Sequence, residues 1–74
     1  MPTVLHLIKS ADAALARTVI EQHVDAGDRV TVALLPGGAA PALPPGVTLR
    51  RVGSDLSYTQ LLDLIFQADQ VLTW

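Results

Sequence analysis

Residues 3–8 read Thr-Val-Leu-His-Leu-Ile, a run that is β-branched or apolar at almost every position. Strands buried on both faces of a parallel sheet have this continuous apolar character, whereas half-exposed strands alternate between apolar and polar residues. Three further strand-like runs occupy residues 30–35, 47–52 and 71–74. The pattern therefore predicts a small parallel sheet of about four strands.

Two helical segments separate these strands. We predict the first near residues 11–26, with Gly27 as its stop signal. Its apolar stripe comprises Leu15, Val19, His23 and Ala26, widened by Ala16, Ile20 and Val24. The second, near residues 57–67, begins with Ser57-x-x-Gln60, the spacing of a capping box. The order β-α-β-loop-β-α-β indicates a single α/β domain over residues 1–74, with right-handed crossovers.

The second helix is apolar on more than one face. A chain of 74 residues buries only about 60% of the surface that its unfolded form exposes, and this chain has no cysteine for a disulfide. We therefore expect it to associate with itself or with a partner. Leu62, Phe66 and Trp74 are the candidate interface residues, because large buried side chains dominate interface energetics. Simple core filling is the alternative interpretation of Phe66 and Trp74.

Composition argues against several function classes. The formal net charge is −2, with five cationic side chains, so no basic stripe is available for nucleic acid. No apolar run approaches the roughly 20 residues that a membrane span needs. Met1-Pro2-Thr3 leads directly into a strand-like segment without a basic leader, and we expect a cytoplasmic protein. With no cysteine and two histidines, no metal site or cofactor is predicted.

Lys9 and Ser10 follow the first strand, where open α/β sheets bind their ligands. Helix N–H groups together with Ser10 and Lys9 are suited to holding an anion. The simpler interpretation is an ordinary helix cap beside a solvated lysine. The turn contains no glycine, so it is neither a phosphate loop nor a dinucleotide fingerprint.

The other polar candidates have simpler explanations. His6 lies in mid-strand and His23 lies on the apolar stripe, so both are interpreted as structural histidines in preference to general bases. Gly37-Gly38 is interpreted as a plain turn. Arg50 and Arg51 are adjacent in a strand, so alternation places them on opposite faces. No group of residues suggests a catalytic centre.

Two stretches resemble a known family. Residues 4–10, Val-Leu-His-Leu-Ile-Lys-Ser, resemble the opening of DsrH/TusB-type proteins, in which Leu-His precedes Lys-Ser. Residues 69–74, Asp-Gln-Val-Leu-Thr-Trp, resemble that family's ending, a short strand closed by tryptophan after an amphipathic helix. The helix positions that share the resemblance are Tyr58, Leu61, Leu62 and Leu64.

The resemblance implies a DsrE-like fold, which is a flavodoxin-like parallel sheet. It also implies a subunit of a sulfur-relay complex, which passes persulfide sulfur toward tRNA 2-thiouridine formation or sulfur oxidation. In that family a cysteine carries the sulfur, and this chain has none. The Pro/Gly-rich residues 36–46 also stand where the family has its middle helix.

The expected function is a non-catalytic subunit that associates with cysteine-bearing DsrE/DsrF-like subunits or with copies of itself. Two alternatives remain open at this point. One is a small anion- or nucleotide-binding module that uses the Lys9/Ser10 turn. The other is a purely structural homo-oligomer.

Overall fold

A computed structural model describes residues 2–9, 14–38 and 43–74 of the chain. The described elements are β1 (Thr3–Ile8), α1 (Ala14–Asp25), β2 (Arg29–Leu34), β3 (Thr48–Arg51), α2 (Tyr58–Gln67) and β4 (Gln70–Thr73). The strands form one parallel sheet in the order β3-β2-β1-β4. The predicted α/β class, the parallel four-stranded sheet and the two helices are confirmed. The helix predicted from residue 11 is described from Ala14 onward.

The helices cover opposite faces of the sheet. α1 packs on the side chains of Ile8 and Val32, and α2 packs on those of Leu5 and Ala33. β1 and β2 lie in the middle of the sheet, and their side chains are packed on both faces. This explains their uninterrupted apolar sequences. Neither described helix is long and apolar enough to cross a membrane.

On the α1 face, the helix packs through a narrower stripe than the sequence suggested. Its buried side chains are Ala16 and Ile20, and Val24 packs on them from one turn further on. Leu15 was expected on the buried stripe, but it is 67% exposed. Successive residues are rotated by about 100° around a helix, so contact through Ala16 and Ile20 turns Leu15 away from the sheet. The strand residues of this core are Ile8, Val30, Val32 and Leu34.

The end of α1 confirms the predicted glycine stop. The Asp28 N–H donates to the His23 carbonyl at 3.0 Å, and the Gly27 N–H donates to the Val24 carbonyl at 3.0 Å. These are the two hydrogen bonds of a Schellman motif, and Gly27 has the positive φ of 85° that it requires. The motif ends the helix so that His23 lies in its last turn.

On the α2 face, Leu61 packs with Leu5, Ala33 and Val52. The predicted capping box starts this helix. The Gln60 N–H donates to Ser57 Oγ at 3.2 Å, and the Ser57 N–H donates to Gln60 Oε1 at 2.8 Å. Two donors that the first turn would otherwise leave free are therefore satisfied.

The junction between α2 and β4 is tied to the start of β1. The Asp69 N–H donates to the Thr3 carbonyl at 2.8 Å, and the Thr3 N–H donates to Asp69 Oδ2 at 2.7 Å. This exchange sets the register of the β1–β4 pair, in which His6 lies opposite Leu72 and Leu7 opposite Thr73. It therefore determines which residues of β4 face α1.

Candidate functional site

His6 is a polar residue in the apolar layer between the sheet and α1. It lies in the middle of β1, opposite Val32 of β2 and Leu72 of β4, and its exposed fraction is 0%. Val4 and Ile8, two positions away along the strand, are also buried. A polar group in such surroundings is stable only when it is hydrogen-bonded.

Both ring nitrogens of His6 have partners. Trp74 Nε1 donates to His6 Nδ1 at 3.0 Å, and His6 Nε2 lies 3.2 Å from His23 Nδ1. The indole and the His6 ring are nearly parallel, 12° apart. We call Trp74, His6 and His23 the three-ring network. It joins the residue after β4 to the middle of β1 and to the last turn of α1.

The donor in each contact follows from the chemistry of the rings. An indole nitrogen only donates, so His6 Nδ1 must accept. A neutral imidazole has one N–H, so His6 carries its hydrogen on Nε2 and donates to His23 Nδ1. Neutral His23 then carries its own hydrogen on Nε2. The hydrogen bonds therefore run in one direction, from Trp74 through His6 to His23.

Burial and the neighbouring His23 both disfavour a charge on His6. Desolvation is the larger cause, and together they lower the pKa of His6 from 6.5 to about 4. His6 is consequently neutral at physiological pH, with no free lone pair for a substrate. This geometry favours the structural interpretation of His6 over the general-base interpretation. His23 is half-buried at the outer end of the network.

The proposed anion site is only partly within the described residues. The Lys9 side chain is exposed. The Lys9 backbone N–H donates to the Trp74 carbonyl at 3.1 Å, which extends the β1–β4 pairing. Ser10 lies outside the described residues, so the anion site formed by Lys9 and Ser10 stays a prediction.

A turn on the β2 side packs against the same end of β1. The Gly38 N–H donates to the Leu35 carbonyl at 2.9 Å, which closes a turn as expected for Gly37-Gly38. A Cβ atom at Gly38 would lie 2.5 Å from the Ile8 carbonyl oxygen, so only glycine fits there. The carboxyl end of β1 is therefore covered by backbone on this side.

The three candidate interface residues are not on one surface. Leu62 and Phe66 lie on the outer side of α2 and are 53% and 83% exposed. Trp74 is half-buried on the opposite face of the sheet, where it packs on the α1-face core. The structure thus brings Leu62 and Phe66 together and places Trp74 in the three-ring network.

An open crevice of about 460 Å³ lies between β3 and the start of α2. Arg50 and Asp55 both line it, so it presents charges of both signs. Asp55 Oδ2 also accepts a hydrogen bond from the Arg51 N–H at 3.1 Å, which stabilises the turn after β3. Arg51 pairs with Leu34 of the α1-face core, which agrees with the predicted alternation of Arg50 and Arg51.

No group of three or more potential metal ligands occurs among residues 2–9, 14–38 and 43–74. No family model matches the chain, and neither the curated proteins nor the solved structures include a match to it.

Sequence reasoning considered each histidine separately and missed the three-ring network. The signal in the sequence is His6 itself, a polar residue within an apolar strand, and its partners follow only from the strand register of the structure. A parallel β4 ending at residue 73 puts Trp74 one step beyond the pair of Leu7 and Thr73. On that register the indole and the His6 ring share the α1 face.

Proposed function

We propose that this protein is a non-catalytic, cytoplasmic subunit of a DsrE/DsrH-type sulfur-relay complex and that it binds its partner through the outer face of α2. The observation that carries the binding role is an apolar ridge on this helix. Tyr58, Leu62 and Phe66 follow one another at intervals of four residues and are 62%, 53% and 83% exposed. Residues at this spacing lie above one another on a helix surface.

The ridge is unusual because it combines large side chains with high exposure. Single exposed apolar residues are common, whereas contiguous apolar patches mark interaction surfaces. Val71 is a further exposed apolar side chain, and it pairs with Leu5 of the α2-face core. Two of the three ridge residues, Tyr58 and Phe66, are aromatic, and aromatic side chains are enriched at protein–protein interfaces.

The sulfur-relay assignment is supported by the resemblance of residues 4–10 and 69–74 to DsrH/TusB-type proteins. We further propose that the sheet is a DsrE-like, flavodoxin-like arrangement, with β1 and β2 central and β3 and β4 at its edges. The partner then has to supply the sulfur-carrying cysteine, because the thiolate is the attacking group in persulfide exchange and this chain has none.

Exposed Lys9 favours a second candidate, an anion-binding module at the carboxyl ends of β1 and β4. A thermal-shift measurement with phosphate, sulfite and thiosulfate distinguishes it from the subunit role. Saturable binding of one of these anions raises the melting temperature by mass action, and a Lys9→Gln variant should lose that rise.

The association experiment is sedimentation equilibrium over a wide concentration range, alone and with a cysteine-bearing DsrE/DsrF-like protein. We expect association by the wild type in at least one of these two conditions. Phe66→Ala should raise the dissociation constant by about 30-fold, the equivalent of losing an anchor worth about 2 kcal/mol. Leu15→Ala is the control, because Leu15 is also a large apolar side chain and is 67% exposed, but it belongs to α1.

A wild type that stays monomeric alone and does not bind the partner protein would refute the subunit role. If Phe66→Ala and Leu15→Ala weaken association equally, the subunit role still stands, but the choice of α2 as the binding surface is contradicted. Incubation with a small-molecule persulfide should add no stable sulfur to the isolated chain, as intact mass spectrometry can check.

A further inference from the structure

The two hydrogen bonds of the three-ring network contain one hydrogen each. Trp74 Nε1 supplies one hydrogen and His6 Nε2 supplies the other, and each faces one lone pair. An imidazolium carries hydrogen on both nitrogens, so protonation of either histidine adds a third hydrogen at these contacts. Two N–H groups must then face each other at one of them, whichever tautomer His6 adopts.

We propose that the three-ring network is a pH-sensitive latch, which holds the Trp74 side chain and the end of β4 in place while both histidines are neutral and releases them when either is protonated. The structure supports this in two ways. Trp74 is the residue that joins β4 to the buried His6, and His23 is the half-buried outer end of the network.

Among residues 2–9, 14–38 and 43–74, no group other than His23 and Trp74 is hydrogen-bonded to the His6 ring. Val32 faces it from β2 and Leu72 from β4, and His23 is the ionisable residue that faces it from α1. Burial and, to a smaller extent, the neighbouring His23 lower the pKa of His6 to about 4, so charging this ring is opposed. The other described ionisable residues of these elements and their ends lie at or near the surface: Lys9, Arg17, Glu21, Asp25, Asp28, Arg29 and Asp69.

Release has a defined structural consequence. The indole hydrogen bond is lost, while the backbone bonds of this end, from the Lys9 N–H to the Trp74 carbonyl and from the Trp74 N–H to the Leu7 carbonyl, are left to hold the strand alone. Hydrogen bonds at a strand end open readily when side-chain packing is lost. The latch therefore predicts local loosening of β4 at acidic pH, beginning at Trp74.

The first test is the tautomer of each histidine near pH 7.5, read from the ring nitrogens in a long-range proton–nitrogen NMR spectrum. We expect hydrogen on Nε2 of both rings and on Nδ1 of neither. Hydrogen on Nδ1 of either ring would overturn the proposal. This measurement uses the wild type, so it does not depend on whether a variant folds.

The second test is tryptophan fluorescence, which reports on Trp74 alone because the chain has one tryptophan. On acidification from about pH 7.5 to about pH 4.5, across the range in which histidine titrates, we expect the emission to shift to longer wavelength. The control is the double variant His6→Gln with His23→Gln, since glutamine offers one acceptor and one donor without titrating in this range. Its emission should stay constant.

Persistence of the full acid shift in a folded double variant would assign it to carboxylates and overturn the latch. A wild-type emission that stays constant across the range would do the same. Helix content, measured by circular dichroism at each pH, shows whether the double variant is folded. If it is not, the tautomer measurement decides.

Discussion

The two helices of this domain solve the same packing problem in opposite ways. α1 buries Ala16 and Ile20 against the sheet, and its outer side carries an ion pair between Arg17 and Glu21. α2 buries Leu61, yet its outer side carries the apolar ridge that ends at Phe66. The outer side of α1 carries this ion pair and a single large apolar side chain, Leu15, whereas the outer side of α2 carries a row of three large apolar side chains.

The difference separates the apolar residues that pack on the sheet from those that remain exposed in the folded chain. Folding a domain of this size requires one apolar stripe on each helix, and beyond its buried stripe α1 (Ala14–Asp25) exposes one large apolar side chain, Leu15. The outer ridge of α2 is exposed in the isolated chain, and the proposed association would account for its apolar character. α1 thus meets solvent on its outer side, whereas we propose that a partner covers the outer side of α2, and substitutions can test this contrast.

The largest expected effect is the loss of the α1 core contact. Ile20→Ala removes a fully buried side chain from a packed core, and we expect the free energy of unfolding to fall by roughly 4 kcal/mol. Leu15→Ala, on the exposed side of the same helix, should change it by less than about 0.5 kcal/mol. Urea unfolding of both variants measures the difference. Similar losses would mean that α1 packs through the stripe containing Leu15.

This pair of variants also marks the limit of the sequence pattern. Residues 15, 19 and 23 and residues 16, 20 and 24 form two adjacent apolar rows, and periodicity alone does not choose between them. Packing decides, because the sheet accommodates the row that contains the small Ala16. The strands and the capping box at Ser57 were predictable, since they depend on local composition and on a specific short motif.

The second effect concerns acid. Folded His6 stays neutral to about pH 4, whereas an unfolded chain protonates this residue near pH 6.5. Between these values the unfolded state binds more protons, so stability falls as the pH falls. The loss attributable to His6 is on the order of 3 kcal/mol between pH 7 and pH 4, at 1.36 kcal/mol for each unit of difference.

Urea unfolding at a series of pH values, on the wild type and on His6→Gln, isolates this contribution because both proteins share the same carboxylates. The wild type should lose stability more steeply on acidification. Parallel curves for the two proteins would contradict the lowered pKa of His6.

The three-ring network was beyond the sequence because it depends on register. His6, His23 and Trp74 are separated by 17 and 51 positions, and no local pattern relates them. Their contacts need β4 to pair with β1 at one register and α1 to cross the same face of the sheet. The interface role of Phe66 was left open for a different reason, since a helix that is apolar on more than one face does not say which side meets the sheet.

The third effect tests how α2 is anchored. Ser57→Ala removes the oxygen that accepts from the Gln60 N–H, and we expect a loss of about 1 kcal/mol in unfolding free energy. Ser54→Ala, in the exposed turn just before the helix, is the control and should be nearly neutral. Thermal unfolding at neutral pH measures both. A cap that costs nothing to remove would show that α2 is held by packing alone.

The smallest expected effect is on the outer side of α1. Glu21→Gln breaks the ion pair with Arg17. Arg17 Nε and Glu21 Oε1 lie 3.0 Å apart, and the two side chains are 54% and 45% exposed, respectively. Water and salt screen such a pair, and the order Arg before Glu is the less favourable one for a helix, so the loss should be about 0.3 kcal/mol. Unfolding free energies at low and high salt check this, with any difference disappearing at high salt. A larger, salt-resistant loss would mean that a second molecule covers the outer side of α1. The proposed contrast, in which solvent covers this side of α1 and a partner covers that of α2, would then no longer hold.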